Sequence, residues 1–592
     1  MSADDNHPFR PSEKRWHTKG IEMTRNPRLA HSGRPIEEDV PAVRSMIAKG
    51  LRYTDIYQSL SISRQRLDRI KKLIAEIDAA ELPPVEQPAS AAGEKEKKKP
   101  IRISTVTEID MDLSRGKVHR FILSSAQDDT PIFEPFWNNL LAYSEYLDAD
   151  IGLGGYTYQL GLYEDHAVAT AVYATELHDY LNFDRTHISD SLLWIGDANV
   201  LPTTANPLNG WTTANRGQHV IVPHARVALE SIPRMQGQPP RMAISTGTVT
   251  QPSYTPRASG RKALFHHTYG AVLVQVDVDG EVFFRHLIAD SDGNFQDLDV
   301  KVIDGVVSTG HRVAAITWGD IHFEQLNSTV AMRSWGFDVQ SRAVTSDDTI
   351  LDLLRPRYQF LHDTLDFRRR NHHGIRDPHQ RAMVRAVGSE SVEDEVQDAA
   401  AFANSVRRPW CQTVMVESNH DAALAKWLKD PEGALDPHNA YYWHDLNADW
   451  HRAIRDNVID FNVVRQGMRR AGLAEDVQFV SSGGSYLVGD VECGLHGDLG
   501  VGGSRGSPNQ YRRFGPKTSS GHTHTPKIVE GVYVAGVSAN LDQGYNKGPT
   551  TWAHAHIVQY DNGKRAMIIM SEDGRYEPAG ETGEAVEDRA AA

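Results

Sequence analysis

Seven residues in the carboxyl-terminal half of the chain are of the types, and in the order, that could hold two divalent metal ions. Imidazole nitrogens, carboxylate oxygens and one amide oxygen can complete two coordination shells, with one carboxylate shared between the ions. Cysteine thiolates do not belong to the set, which argues against a structural zinc site. The candidate ligands are Asp320, His322, Asp363, Asn419, His496, His522 and His524.

Apolar segments that we expect to be buried strands precede these residues. Residues 312–318 come just before Asp320, residues 358–361 before Asp363, and residues 413–416 shortly before Asn419. A short loop after a buried strand is a favourable place for a metal ligand, and three such units in order are hard to obtain by accident. The pattern therefore predicts an α/β fold with a metal site on the loops after its strands.

The ordered set resembles the calcineurin-like metallophosphoesterase superfamily, and in particular its SbcD-like nuclease branch, over roughly residues 310 to 560. The resemblance implies a four-layer β-sandwich flanked by helices and a cofactor of two divalent ions. Manganese is the expected metal, with Mg²⁺, Zn²⁺ or iron as alternatives. The implied ligands are Asp320, His322 and His524 for one ion, Asn419, His496 and His522 for the other, and Asp363 as the bridge.

The same resemblance assigns two further residues to catalysis. His420 would contact the scissile phosphate without binding a metal, and Asp421 would orient its ring. The family usually has glycine where this chain has His362 and Ser418, whereas Asp366 matches the second acidic residue of the motif. The implied reaction is in-line attack of an activated water on phosphorus, with His420 stabilising the transition state and protonating the leaving oxygen.

Composition indicates an ordinary soluble protein of several domains. The chain has 592 residues, a formal charge of −15 and 40% hydrophobic residues. A run of eighteen apolar residues is lacking and the first thirty residues are polar, so we expect no membrane contact and a cytoplasmic location. Its two cysteines, Cys411 and Cys493, are too few for a disulfide framework.

The amino-terminal region differs from the rest in charge. Residues 1–105 carry 20 basic and 15 acidic side chains, whereas the remaining residues carry 43 and 63. We expect a disordered arm over 1–35, a helix-turn-helix-like domain over 36–78 and a linker over 79–105. In that domain Arg64, Gln65 and Arg69 would contact DNA. The alternative is a small helical bundle for protein contact, with its basic face in solvent.

Three more segments complete the predicted organisation. An α/β domain is expected over residues 106–309, the phosphoesterase domain over 310–570, and a disordered tail over 571–592. A glycine-rich segment at 494–515 leads into the loop of His522. Its arginines could contact a DNA backbone, or the segment could be an ordinary solvated loop. They are Arg505, Arg512 and Arg513.

These features favour DNA as the substrate and a metal-dependent DNase as the function. The layout also resembles, more loosely, the first-step DNA-transfer nucleases of T5-like bacteriophages, which implies an early phage protein that degrades host DNA in the host cytoplasm. The alternatives are a small-molecule phosphodiesterase, a protein phosphatase of the same superfamily, and a non-catalytic DNA-binding protein. The sequence also allows a homo-oligomer.

Overall fold

The structure, a computed structural model, describes residues 36–49, 51, 56, 59–60, 67, 70–74, 77, 108–114, 116–158, 172–213, 217–371 and 375–579. The chain divides into two units, Met1–Glu96 and Lys97–Ala592. The predicted disordered arm (1–35), the predicted linker (79–105) and residues 580–592 of the predicted tail lie outside the described residues.

The amino-terminal unit is helical wherever it is described in regular structure. A 3₁₀ turn, Ile36–Asp39, leads into helix α1 (Val40–Ala48), and residues 70–74 are also helical. Its apolar core consists of Val40, Val43, Ile56, Leu67, Ile70 and Ile74. Arg64, Gln65 and Arg69 lie outside the described residues, so their contact with DNA stays a prediction.

The strands of the second unit fall into two groups along the chain. From residue 108 to residue 308 they are β1 (Glu108–Asp110), β2 (His119–Gln127), β3 (Asp150–Tyr156), β4 (Arg185–Ser189), β5 (Leu192–Ile195), β6 (His219–Val222), β7 (His224–Ile232), β8 (Arg241–Gly247), β9 (Gly270–Val276), β10 (Val282–Ile288), β11 (Phe295–Asp297), β12 (Val300–Ile303) and β13 (Val306–Ser308). From residue 315 they are β14 (Ala315–Thr317), β15 (Phe337–Asp338), β16 (Ala343–Val344), β17 (Tyr358–His362), β18 (Gln412–Val416), β19 (Gln478–Val480), β20 (Leu487–Val488), β21 (Val491–Glu492), β22 (Lys517–Ser520), β23 (Lys527–Val529), β24 (Val532–Val534), β25 (Ala555–Gln559) and β26 (Arg565–Ile569).

The helices of this unit lie mostly in its second half. They are α2 (Glu134–Leu147), α3 (Ala258–Phe265), α4 (Ser328–Trp335), α5 (Ile350–Leu354), α6 (Pro378–Ala386), α7 (Val392–Ser405), α8 (Ala422–Leu428), α9 (Ala440–Arg455), α10 (Val463–Arg470) and α11 (Pro508–Tyr511). Short 3₁₀ turns occur at Thr175–Tyr180, Phe323–Gln325, Pro431–Leu435 and Val501–Gly503. None of the described helices is long and apolar enough to cross a membrane.

Two large sheets organise the second unit. Six described strands form one sheet in the order β19-β18-β17-β14-β25-β26, in which β19, β18, β17 and β14 run parallel. Eleven form the other, in the order β1-β4-β5-β6-β8-β7-β23-β24-β22-β21-β20. A four-stranded sheet, β10-β9-β2-β3, packs beside them. The fold is therefore mixed α/β, as the sequence predicted.

The expected division at residue 309 is not a boundary between sheets. Strand β7 from the first half pairs with β23 from the second, with Leu229 opposite Ile528. One apolar cluster also contains side chains from all three larger sheets, among them Val274, Ile244 and Ile557. Because pairing and packing cross residue 309, residues 106–309 and 310–570 form one unit rather than two separate domains.

The outer face of the six-stranded sheet is covered by helices α4, α5 and α7 to α10. Their shared core includes the fully buried Trp318, Trp335 and Phe402. Burying each such side chain contributes about 1.5–3 kcal/mol of transfer free energy. The six-stranded sheet, which carries the loops after β14, β17 and β18, is thus packed against helices on one face and against strands on the other.

The predicted disordered tail begins too early. Residues 571–579 are described, and Tyr576 is buried against the main core. Arg575 forms ion pairs with Asp277, with Asp279 (2.8 Å) and with Asp573 (2.6 Å). The segment 571–579 is acidic, as the prediction of disorder assumed, but its alanines begin only at Ala579, after these anchoring residues.

Candidate metal centre

Three parallel strands bring most of the predicted ligands to one edge of the six-stranded sheet. Asp320 and His322 follow β14, Asp363 follows β17, and Asn419 follows β18. Parallel neighbours end at the same edge, so their loops meet there. The Asp320 backbone is fixed further by the segment between β24 and β25, because its amide donates to the carbonyl of Gly536 (3.1 Å).

The other sheet supplies the remaining ligands from its own parallel strands. His522 and His524 follow β22, and His496 follows β21, which pairs with β22 in parallel. The amide of Gly521 donates to the carbonyl of His496 (2.7 Å), which joins these two loops. The site therefore lies where the carboxyl ends of strands from both large sheets face each other.

Asp320, His322, Asp363 and His524 form one buried group that could hold a metal ion. One ligand atom from each lies within 4.8 Å of all the others. His322 Nε2 is 2.9 Å from His524 Nε2, and His524 Nε2 is 3.2 Å from Asp320 Oδ2. Two imidazole nitrogens directed at each other beside a carboxylate are the donor set that a divalent cation prefers.

A second group lies on the other side of Asp363. The amide oxygen of Asn419 is 3.1 Å from His496 Nε2 and 3.0 Å from His522 Nδ1. Asp363 Oδ2 is 3.3 Å from His496 Nε2 and 3.4 Å from His322 Nε2. Asp363 thus lies between the two groups, where a bridging carboxylate would be needed.

Several polar atoms of the site are buried without a hydrogen-bond partner. They include the Oδ1 atoms of Asp320 and Asp363 and the Nδ1 atoms of His496 and His524. An unpaired buried polar atom costs about 1–3 kcal/mol, and more when the group is charged. Metal coordination would satisfy the two carboxylate oxygens, so the residues present fit a metal centre.

Charge is balanced inside the site by opposing groups. Burial favours the neutral form of Asp363, but the charges of His496 and His420 outweigh it and hold its pKa well below the ordinary value. Burial lowers the pKa of His496, but the charge of Asp363 outweighs this effect and raises it to about 9. Protonated imidazoles therefore supply the positive charge that metal ions would supply, so metal binding would release protons.

Asp366 orients two of the imidazole rings. Its Oδ1 is 3.1 Å from His322 Nδ1 and 3.5 Å from His420 Nδ1, and its carbonyl oxygen is 3.0 Å from the same His420 nitrogen. These three residues also form a group that could hold a metal ion. Because His322 directs Nε2 at the first ligand group, we interpret the contact of its Nδ1 with Asp366 as the orienting hydrogen bond of a metal-binding histidine.

The prediction that Asp421 orients the His420 ring is wrong. Asp421 accepts hydrogen bonds from the amide of Leu365 (3.0 Å) and from the amide (2.9 Å) and hydroxyl (2.8 Å) of Ser418. Asp421 therefore joins the loops after β17 and β18. The His420 ring is oriented by Asp366 instead. Burial, with the charge of Asp363, raises the pKa of Asp421 to about 7.

The backbone is strained at four of the predicted ligands. His322, Asp363, His522 and His524 have φ values of 43°, 48°, 76° and 56°. The left-handed region is costly for residues other than glycine, and such strain is typical of functional sites. His362 ends β17, and the positive φ belongs to Asp363 itself, so the absence of glycine at residue 362 does not prevent the turn.

Gly521 is required by the close approach of Asp320. A Cβ atom at residue 521 would lie 2.0 Å from Asp320 Oδ1. The next amide, that of His522, donates to Asp320 Oδ2 (2.7 Å). The sequence analysis gave Gly521 no role, although a glycine directly before the two predicted histidine ligands was a signal.

Two neighbouring histidines differ in their surroundings. His362 is buried with both ring nitrogens unpartnered, and its ring centroid is 5.7 Å from that of His496. His556, by contrast, accepts from the amide of Gly319 (3.0 Å) and has its other nitrogen 3.1 Å from the Ser334 hydroxyl, which is a structural role.

The predicted arginines of the glycine-rich segment are exposed. Arg512 lies 3.5 Å from Glu530, and the Gly506 amide donates to the carbonyl of Asp498 (2.7 Å). The segment contains His496 and leads into β22, which precedes the His522 loop. Contact of Arg505, Arg512 and Arg513 with DNA stays a prediction.

Comparison with known proteins identifies a bacteriophage relative. Protein A1 of Escherichia phage T5 is 34% identical over 537 residues, which are 88% of this chain and 94% of that protein. No protein-family profile and no solved structure match the chain. The predicted relation to T5-like bacteriophages is thereby confirmed, whereas membership of the metallophosphoesterase superfamily stays a prediction. The chain belongs to the family of Protein A1 of Escherichia phage T5.

Proposed function

We propose that this protein is a DNase that uses two divalent metal ions to hydrolyse DNA phosphodiester bonds. The observation that carries the proposal is the convergence of two donor groups on the shared Asp363, with unpartnered carboxylate and imidazole atoms around it. When bound, two divalent cations would supply a water that ionises near neutral pH and would neutralise the charge of the phosphate.

His420 is the residue placed to act on the substrate. Its Nδ1 is engaged by Asp366, which leaves Nε2 for a phosphate oxygen or the leaving oxygen. The side chain is 23% exposed, whereas the side chains of His322 and His496 are fully buried. A partly exposed imidazole beside two buried ligand groups suits contact with substrate better than a place in a coordination shell.

The donor set suits several divalent metals. Nitrogen and oxygen ligands without thiolate favour Mn²⁺, Fe²⁺ or Zn²⁺ over Ca²⁺, and Mg²⁺ is compatible with the carboxylates. We propose Mn²⁺ and a stoichiometry of two ions per chain. Elemental analysis of the purified protein tests both.

DNA is favoured over other phosphoesters by the surroundings of the site. The arginine-bearing segment 494–515 contains His496, and the helical amino-terminal unit is followed by the basic run Lys97, Lys98 and Lys99. Two packed sheets with helices on the outer face of one also suit the proposed four-layer phosphoesterase sandwich. Relation to a phage protein fits an early protein that degrades host DNA in the host cytoplasm.

The test is hydrolysis by full-length protein with Mn²⁺, beside a chelator control and the Asp320→Ala variant. Cleavage of DNA that requires metal and is abolished in the variant is the expected result. Turnover of only a chromogenic phosphodiester, or only of a phosphopeptide, would instead support a small-molecule phosphodiesterase or a protein phosphatase. DNA binding without any hydrolysis would favour a non-catalytic binding protein.

A further inference from the structure

An aromatic pair extends from the metal centre towards solvent. The Trp552 ring packs on the predicted ligand His524, with ring centroids 4.2 Å apart at 73°. The Tyr545 ring lies against Trp552, with centroids 5.8 Å apart at 69°. Tyr545 is 61% exposed. A large aromatic face is therefore available to solvent, one ring beyond a residue of the centre.

The segment that carries Tyr545 is held in place on both sides. The side chain of Asn546 accepts from the amide of Gln543 (3.0 Å) and donates to the carbonyl of Leu541 (2.8 Å). The backbone carbonyl of Asn546 accepts from the Gln236 side chain (2.7 Å). The backbone around Tyr545 is thus held before any ligand arrives, which reduces the entropy cost of binding.

The phenol also lies within electrostatic reach of the site. Burial raises the pKa of Tyr545, and the charges of Asp366 and Asp363 raise it further, while Arg368 opposes them. The Arg368 guanidinium is 3.9 Å from Asp366, and its side chain is 41% exposed. Asp366 contacts His322 (3.1 Å) and Trp552 packs on His524, so Arg368 and the aromatic pair both adjoin the first ligand group.

We propose that Tyr545 stacks on the nucleobase next to the scissile phosphate, supported by Trp552, and that Arg368 binds an adjoining phosphate. The inference rests on the proposed DNase function and specifies its substrate. In a duplex both faces of a base are covered by its neighbours, so stacking on a protein ring requires an unpaired or frayed base. The preferred substrate is therefore a single strand or an unpaired end rather than continuous duplex.

Binding of a hydrolysis-resistant phosphorothioate single strand to the full-length protein with Mn²⁺ tests the stacking. Tyr545→Ala should weaken binding by about 5- to 150-fold, the range that corresponds to removing one base–aromatic stack, whereas Tyr545→Phe should retain it. A strand of the same length with abasic sites should bind the wild-type protein more weakly and show no further weakening in Tyr545→Ala. Tyr441→Ala, at a 77% exposed tyrosine of α9, is the matched control and should bind as the wild type does.

Two outcomes would overturn the stacking role. One is equal affinity of Tyr545→Ala and wild type for the normal strand. The other is that Tyr545→Ala weakens binding to the abasic strand as much as it weakens binding to the normal strand. Cleavage measured separately keeps this inference distinct from the proposed function. Base-dependent binding without cleavage of any DNA would contradict the DNase alone. Cleavage of single strands and duplexes at equal rates by wild type and Tyr545→Ala would contradict the stacking alone.

Discussion

At the scale of single residues, one carboxylate serves two purposes in the candidate centre. Asp366 fixes the ring of a predicted metal ligand, His322, and the ring of the residue proposed to contact substrate, His420. The sequence analysis identified Asp366 only as a motif position and assigned the orienting role to Asp421. The spacing of residues along a loop does not reveal which of two nearby carboxylates faces a ring, because that depends on the turn between them.

Asp366→Asn should weaken metal binding without removing a ligand. The amide keeps the shape of the side chain but removes the charge that orients the His322 ring, and changes of this kind typically cost 10- to 100-fold in metal affinity. Titration calorimetry with Mn²⁺ measures the effect. Unchanged affinity in a folded Asp366→Asn protein would show that His322 does not depend on this hydrogen bond.

His420→Ala should keep both metals and lower DNA turnover by on the order of 10²- to 10⁴-fold, the range for removal of a general acid. The reason is that its Nδ1 is engaged by Asp366 rather than directed at the ligand groups around Asp363. Elemental analysis beside the cleavage rate separates the two roles. A decrease of one metal equivalent would mean that His420 is a ligand, as its grouping with His322 and Asp366 also allows.

At the scale of elements, the loop after β22 depends on one glycine. Gly521→Ala would place a Cβ 2.0 Å from Asp320 Oδ1, and the loop must move to relieve the clash. We expect the free energy of unfolding to fall by about 1–3 kcal/mol, together with weaker metal binding. Thermal unfolding and Mn²⁺ titration measure the two effects. Gly515→Ala is the control, because a Cβ there meets nothing within 4 Å; equal behaviour of the two variants would refute the argument.

The elements that carry the site were largely predictable, whereas their partners were not. Apolar runs before Asp320, Asp363 and Asn419 indicated β14, β17 and β18, because buried parallel strands are apolar on both faces. The pairing of β7 with β23 joins residues that are far apart in the sequence, such as Leu229 and Ile528, and no local pattern encodes such a partner. Because this pairing could not be read from the sequence, residues 106–309 were predicted to be a separate α/β domain.

At the scale of the whole molecule, the two units have different expected tasks. Residues 97–592 form the unit that contains the complete candidate centre, and residues 1–96 form the other, with its own apolar core. Since none of the predicted ligands belongs to the amino-terminal unit, its removal should leave the chemistry intact. The net positive charge of residues 1–105, most of which comes from Lys97, Lys98, Lys99 and Arg102, instead suits binding to a polyanion.

Deleting residues 1–100, which carry 19 basic and 15 acidic side chains, should therefore weaken DNA binding while leaving turnover of a small phosphodiester unchanged. Neutralising a phosphate releases counterions, so the affinity of the full chain should fall more steeply with salt than that of the truncated chain. On duplex DNA the two slopes should differ by about 0.9 for each phosphate that residues 1–100 neutralise. Binding measured across a salt series, beside turnover of the chromogenic substrate, gives both quantities. The same slope for both chains would assign the amino-terminal helices to protein assembly, and a fall in small-substrate turnover would show that the second unit needs the first to hold its centre.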